Sequence, residues 1–163
     1  MIEDNIEKLA RDVLSAARAR GVRIATAESC TGGLISSALT AVSGSSDVFD
    51  RGFVTYSNEA KRQMLDVSDT SLTKFGAVSE NVAKEMSYGA MTNSMAEITV
   101  AVTGIAGPEG GTKDKPVGLV WFGVCEQGMA PDGVKQVFSG HDRNGIRSEA
   151  VNYALHLLLD RLS

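Results

Sequence analysis

The chain has 163 residues, which is room for one domain of ordinary size with a substantial buried core, and we expect a single domain over residues 1–163. With 43% hydrophobic and 22% charged residues, and no apolar run near the ~18 residues of a membrane span, disordered and membrane-spanning classes are excluded. Sixteen basic against 20 acidic residues give a net charge of −4, which argues against a surface that neutralises a polynucleotide but leaves room for a local anion site.

Two cysteines, Cys30 and Cys125, are too few for a disulfide framework. The first residues, Met-Ile-Glu-Asp-Asn-Ile-Glu, are acidic where a secretory leader is basic and then apolar. The expected compartment is a reducing cytoplasm. Glycine is frequent, at 17 residues, and proline scarce, at 3, so special backbone turns are expected.

In chain order, residues 3–19 place Ile6, Leu9, Ala10, Val13, Leu14 and Ala17 at helical intervals, and Gly21 ends that helix. Residues 22–27 read as a strand and 31–42 as a helix with Leu34, Ile35, Ala38 and Leu39 inward, so a strand enters a helix through Glu28-Ser29-Cys30. A second strand over 48–56 leads through Ser57, a candidate cap, into a helix over 59–65. A helical turn near 68–75 follows, and Ser79 caps a longer helix that turns Val82, Ala83, Met86, Ala90 and Met91 to one face. Residues 98–103 are a buried strand.

The longest loop, residues 104–118, holds Gly104, Gly107, Gly110, Gly111 and Gly118 and two of the three prolines; loops this long in compact domains are often functional. Strands over 119–125 and 134–138 form a hairpin, and a final helix over 144–162 buries Ile146, Ala150, Val151, Ala154, Leu157 and Leu158. Helices alternate with strands in the first half and strands follow strands in the second. The expected fold is therefore α/β: a three-layer α/β/α domain with a mixed parallel and antiparallel sheet.

Three segments have the residue types of a reactive site. Thr26-Ala27-Glu28-Ser29-Cys30-Thr31-Gly32-Gly33 ends a strand in a serine and restarts as a helix, which sets that hydroxyl and the first helical amides at the ligand-binding edge of an α/β sheet. Ser29 or Thr31 is equally read as a plain N-cap. A serine nucleophile needs a base. His156 lies among leucines and His141 in a loop, and no spacing supports a triad through either.

Tyr56-Ser57-Asn58-Glu59-Ala60-Lys61 offers a phenol at a strand end and an amine one turn into the next helix; Lys61 is a base only where burial or nearby positive charge lowers its pKa. A solvated lysine and a half-buried tyrosine are the plainer readings. Cys30 is read as packing rather than as nucleophile, although a helix N-terminus activates thiols. Thr103-Gly104-Ile105-Ala106-Gly107-Pro108-Glu109-Gly110-Gly111 supplies open amides after a strand, matching neither the Walker pattern nor the dinucleotide fingerprint. Arg143 and Arg147 are candidate phosphate partners with Lys61, each also readable as a surface charge. No metal-ligand spacing occurs, and neither metal nor organic cofactor is expected.

Thr-Ala-Glu-Ser-Cys-Thr-Gly-Gly at 26–33, Arg-Gly-Phe-Val-Thr-Tyr-Ser-Asn-Glu-Ala-Lys at 51–61, Gly-Ala-Val-Ser-Glu at 76–80, Thr-Gly-Ile-Ala-Gly-Pro-Glu-Gly-Gly at 103–111 and Lys-Pro-Val-Gly-Leu-Val-Trp-Phe-Gly at 115–123 resemble the CinA C-terminal domain family. The blocks occur in family order across nearly the whole chain. The resemblance implies an amidohydrolase that converts nicotinamide mononucleotide and water to nicotinate mononucleotide and ammonia. It implies Ser29 as nucleophile, Lys61 as base and Tyr56 as helper, with Thr103 and Arg143 as further site residues and Arg147 competing with Arg143.

From that reading, amides over Cys30, Thr31, Gly32 and Gly33 would stabilise the oxyanion, and Gly104, Gly107 and Arg143 would contact the nucleotide phosphate. The N-terminal pyrophosphatase domain of full-length members has no counterpart in these residues, and its activity is not expected. A non-catalytic nucleotide-binding module and a serine–lysine amidase for another small amide stand as alternatives. A homo-oligomer is expected from general frequency alone.

Overall fold

The computed structural model describes residues 3–163. Five strands form one sheet in the order β2-β1-β3-β4-β5, where β1 is Ile24–Glu28, β2 Phe49–Val54, β3 Ile98–Gly104, β4 Leu119–Glu126 and β5 Asp132–Val137. β1 runs parallel to both β2 and β3, and β4 and β5 are antiparallel additions, so the expected mixed sheet is present. The helices are α1 (Asp4–Arg20), α2 (Leu34–Thr40), α3 (Asn58–Leu65), α4 (Asp69–Phe75), α5 (Glu80–Thr92) and α6 (Arg143–Leu162). Among the described residues no helix is long and apolar enough to cross a membrane.

The alternation of side chains along β1 and β3 sorts the core into two layers. Ile24, Ile98, Val100 and Val102 pack with α1, α2 and α6 in one cluster. Ala27 and Ala101 pack with Leu65 of α3 and Val82, Met86 and Ala90 of α5 in the other. Gly123 shows how closely the second layer is docked: a Cβ there would lie 2.0 Å from the Ala83 carbonyl oxygen, so only glycine lets α5 rest on β4.

Most helix ends are set by local chemistry. Ser57, Ser68, Ser79 and Asp142 accept first-turn amides of α3, α4, α5 and α6, and Gly21 closes α1 at φ +66° in the left-handed region. The start of α2 is set from further away. The sequence reading starts this helix at residue 31 with Ser29 or Thr31 as cap, but it starts at Leu34, after a turn over residues 29–33, and its cap comes from the preceding strand.

β1 and β3 are neighbours whose C-terminal connections leave in opposite directions, β1 toward β2 and β3 toward β4. Open α/β sheets bind ligands in the crevice at such a point. One residue past the last registered partners, Glu28 with Val54 and Val102, stand Ser29, Thr55 and Thr103. Three hydroxyl residues therefore mark the edge of the crevice.

Candidate active site

Alternation along β1 assigns each polar residue at its end to a face. Thr26 and Glu28 turn toward α2, and Ser29, the next residue in an extended run, turns to the opposite side, where α3 packs. Lys61 lies in the first turn of α3 and is 1% exposed, an unusual burial for an amine. Its Nζ is 2.9 Å from Ser29 Oγ and 2.8 Å from the Thr55 carbonyl oxygen, with the Tyr56 carbonyl oxygen at 3.5 Å. All three partners are uncharged oxygens. With no carboxylate among the described residues to hold the proton, burial pushes the Lys61 amine down to about 8.

Two carbonyls and one hydroxyl suit either protonation state. The ammonium donates to all three oxygens. The neutral amine keeps two N–H bonds for the carbonyls and turns its lone pair to the Ser29 hydroxyl. Ser29 is held in turn by its own backbone, since its amide donates to the Val102 carbonyl at 3.0 Å and its carbonyl accepts from the Gly32 amide at 3.0 Å.

The pair lies at a cavity of ≈ 320 Å³ whose wall includes Cys30, Tyr56, Asn58, Ala77, Val78, Thr103, residues 104–107, Glu109, Gly110 and Arg143. Thr103 is buried on the same side of the sheet as Ser29 and donates its hydroxyl to the Ala77 carbonyl at 2.9 Å. Arg143, the first residue of α6, donates to the Gly107 carbonyl at 2.6 Å and to the Tyr56 hydroxyl at 3.3 Å, so one guanidinium ties the glycine loop to the β2–α3 connection across the cavity mouth.

Several expected site residues stand elsewhere. Thr31 is buried on the α2 side and donates to Glu28; Gly32 and Gly33 are absent from the cavity wall, and the Gly32 amide is engaged with Ser29. The first amides of α2, at Ile35 and Ser36, donate to the Glu28 carboxylate at 2.9 and 3.0 Å, so an internal anion already occupies that helix start. Of residues 30–33, Cys30 alone reaches the cavity.

Tyr56 is 64% exposed and its hydroxyl meets Arg143; its approach to Lys61 is through the backbone carbonyl. Arg147 donates to the Cys30 and Thr31 carbonyls at 3.0 and 3.3 Å and braces the turn from outside the cavity, which leaves Arg143 as the arginine on the cavity wall. Cys30 packs in the α1–α2–α6 cluster, and burial pushes its thiol up to about 11, away from a thiolate at neutral pH. His141 and His156 are exposed, and His141 lies beyond the cavity wall. Sequence reasoning missed Asn58, the wall residues Ala77, Val78 and Glu109, and above all Glu28.

Fold and site together define an α/β protein with a buried serine–lysine pair at the C-terminal edge of its parallel strands. The chain belongs to the CinA C-terminal domain family, whose model matches residues 6–162. It is 46% identical over 159 residues, 98% of this chain and 96% of the relative, to the nicotinamide-nucleotide amidohydrolase PncC of Enterobacter agglomerans. It is also 46% identical to the protein of that name in Escherichia coli strain K12, over 97% of this chain and 95% of the relative. Among solved structures it resembles the competence/damage inducible protein CihA from Agrobacterium tumefaciens, with a TM-score of 0.95 and 46% identity over 98% of this chain and 97% of that one.

Proposed function

We propose that this chain is a nicotinamide-nucleotide amidohydrolase that uses Ser29 as nucleophile and Lys61 as base. Its near full-length likeness to two proteins of that name supports the amidohydrolase class. The observation that carries the mechanism is a buried amine 2.9 Å from a serine hydroxyl among neutral oxygens, with its proton affinity lowered to about 8. At pH 7 roughly a tenth of such amines are neutral and able to take a proton.

Neutral Lys61 accepts the Ser29 proton as Oγ bonds to the carboxamide carbon, giving a tetrahedral oxyanion. The amide of Cys30, the residue of the 30–33 turn that reaches the cavity, is the donor proposed for that oxyanion. The carbon–nitrogen bond then breaks as the Lys61 ammonium protonates the departing nitrogen, and ammonia leaves. Water attacks the acyl-serine with Lys61 again as base, releasing the carboxylate and restoring the hydroxyl. Arg143 at the cavity mouth is proposed to hold the nucleotide phosphate, fixing the ring through binding energy remote from the reacting carbon. The ordinary place for this activity is pyridine nucleotide recycling.

Ammonia release measured on nicotinamide mononucleotide, nicotinamide riboside and free nicotinamide tests the reading. Turnover is expected on the nucleotide well above the other two. Equal rates on all three would remove the phosphate from recognition and favour an amidase for another small amide. No release from any would favour a nucleotide-binding module.

A further inference from the structure

Glu28 is fully buried, directly precedes the proposed nucleophile, and has no place in the proton transfers above. Its carboxylate accepts four hydrogen bonds. One oxygen takes the Thr31 hydroxyl at 2.7 Å and the Ile35 amide at 2.9 Å; the other takes the Ser36 amide at 3.0 Å and the Ser36 hydroxyl at 2.8 Å. With both oxygens saturated on the α2 side of the sheet, it is not placed to exchange protons with anything in the cavity.

We propose that Glu28 is a positioning residue for the reaction: it locks the turn after β1 so that the Ser29 hydroxyl is delivered to Lys61. This rests on the Ser29–Lys61 reading above. The carboxylate joins the strand end (28), the turn (31) and the first turn of the next helix (35 and 36), and these are the points between which the Ser29–Gly33 backbone is suspended. α2 has no cap from its own N-cap residue, Gly33, so Glu28 supplies both the cap and the negative charge that a helix start favours.

The backbone around it is held as well. The Glu28 carbonyl accepts from the Thr55 amide at 2.8 Å and the Ser29 amide donates to Val102 at 3.0 Å, so side chain and main chain fix the residue from three directions. Because successive residues of an extended strand face opposite sides, fixing Glu28 toward α2 fixes Ser29 toward α3. A displacement of about 1 Å at a reacting atom costs about 10²-fold in rate.

The test is Glu28→Gln in the full chain, with Thr31→Val and Ser36→Ala as milder variants that each delete a partner of the carboxylate. Gln keeps the shape but turns an NH₂ toward donors, so at least one bond is lost and one donor faces another. The readouts are kcat and KM on nicotinamide mononucleotide, the rate of Ser29 phosphonylation by a fluorophosphonate, and the pH profile.

E28Q is expected to lower kcat and the phosphonylation rate together by about 10- to 100-fold, with KM little changed and the pH limb still near 8 because Lys61 is untouched. T31V and S36A should give smaller losses of the same kind. Glu28→Asp, whose shorter arm keeps the charge, should recover part of what E28Q loses. A folded E28Q with wild-type kcat and labelling overturns the inference, as does a loss carried by KM or a shifted pH limb. If E28Q does not fold, wild-type kcat in both T31V and S36A overturns it too. Ser29→Ala separates the two readings: an active S29A removes the Ser29 mechanism, while an inactive S29A beside a fully active E28Q removes only the role of Glu28.

Discussion

Glu28 and Lys61 are both buried against the end of β1, one on each face of the sheet, and their surroundings differ in kind. Glu28 meets four donors, two of them amides at a helix start. Lys61 meets three neutral oxygens and, among the described residues, no opposite charge. A buried carboxylate with matched donors serves as a structural pin, whereas a buried amine denied a counter-charge sits close to losing its proton. On the proposed mechanism, two residues of the same nominal class, buried and ionisable, thus divide into scaffold and reagent, and the partners decide which is which.

The largest expected effect comes from removing the reagent side. Ser29→Ala and Lys61→Ala should each lower kcat by at least about 10³-fold, and the double variant should be little worse than either, because the two act as a unit. Lys61→Arg should not restore turnover, since a guanidinium stays protonated. Cys30→Ala should keep most of it. An active K61R, or an inactive C30A beside an active S29A, would reassign the chemistry; steady-state ammonia release reads all of these.

The contrast also fixes a pH dependence. The proposed base works only when neutral, so kcat/KM should rise about tenfold per unit below about 8 and level off above it. Stability should follow with a defined sign. The folded Lys61 amine titrates at about 8 and the unfolded one near 10.5, so between those values the unfolded chain binds more protons and stability rises with pH. Below about 8 the cost of burying the ammonium is fully present. Comparing urea midpoints of wild type and Lys61→Met across that window isolates it: the difference should shift toward wild type as pH rises. A flat rate profile from pH 6.5 to 9 would mean that Lys61 is not the base.

How much of this was legible in the sequence depends on the range over which each feature is decided. Helices and strands with strong periodicity, such as α1 and β3, and caps such as Ser57 and Ser79, follow from residues a few positions apart. The start of α2 was misplaced because its cap comes from Glu28, seven residues before Ile35, and no local rule for caps reaches back into a strand. Ser29 and Lys61 were readable as chemistry-bearing types, but their 2.9 Å contact requires β1 and β2 to be parallel neighbours.

Glu28 itself left a usable signal: in a strand alternating by twos, a glutamate next to the serine faces the opposite layer. Arg143 and Arg147 lie four residues apart on one helix face, and only the path of the 105–111 loop decides which lines the cavity. Which atoms of Tyr56 meet which neighbours was likewise hidden. Its backbone carbonyl reaches Lys61 while its hydroxyl reaches Arg143.

A smaller effect is expected at the cavity mouth. Arg143→Ala removes the proposed phosphate contact together with the bonds to Gly107 and Tyr56, and a charge-assisted contact of ~1.5–3 kcal/mol corresponds to roughly 10- to 100-fold in KM for the nucleotide. Nicotinamide riboside, which has no phosphate, should lose far less. Equal losses on both would make Arg143 a loop clamp alone. Arg147→Ala offers the control, because its partners are the Cys30 and Thr31 carbonyls and its loss should appear in kcat rather than in phosphate dependence.

The smallest effect sharpens the comparison from a third residue. Thr55 is fully buried, and its hydroxyl has no hydrogen-bond partner among the described residues, while its carbonyl 2.8 Å from Lys61 Nζ is part of the pair's surroundings. A buried hydroxyl without a partner costs about 1–3 kcal/mol relative to an apolar group of the same shape. Thr55→Val keeps shape and main chain, so the carbonyl stays in place and the unpaired dipole disappears. The variant should gain on the order of 1 kcal/mol, raising the thermal midpoint by about 2–4 °C, with kcat and the pH limb unchanged. A loss of stability together with slower turnover would mean that the hydroxyl is joined to the serine–lysine pair through water, and the reagent side of the strand end would then extend to a third group.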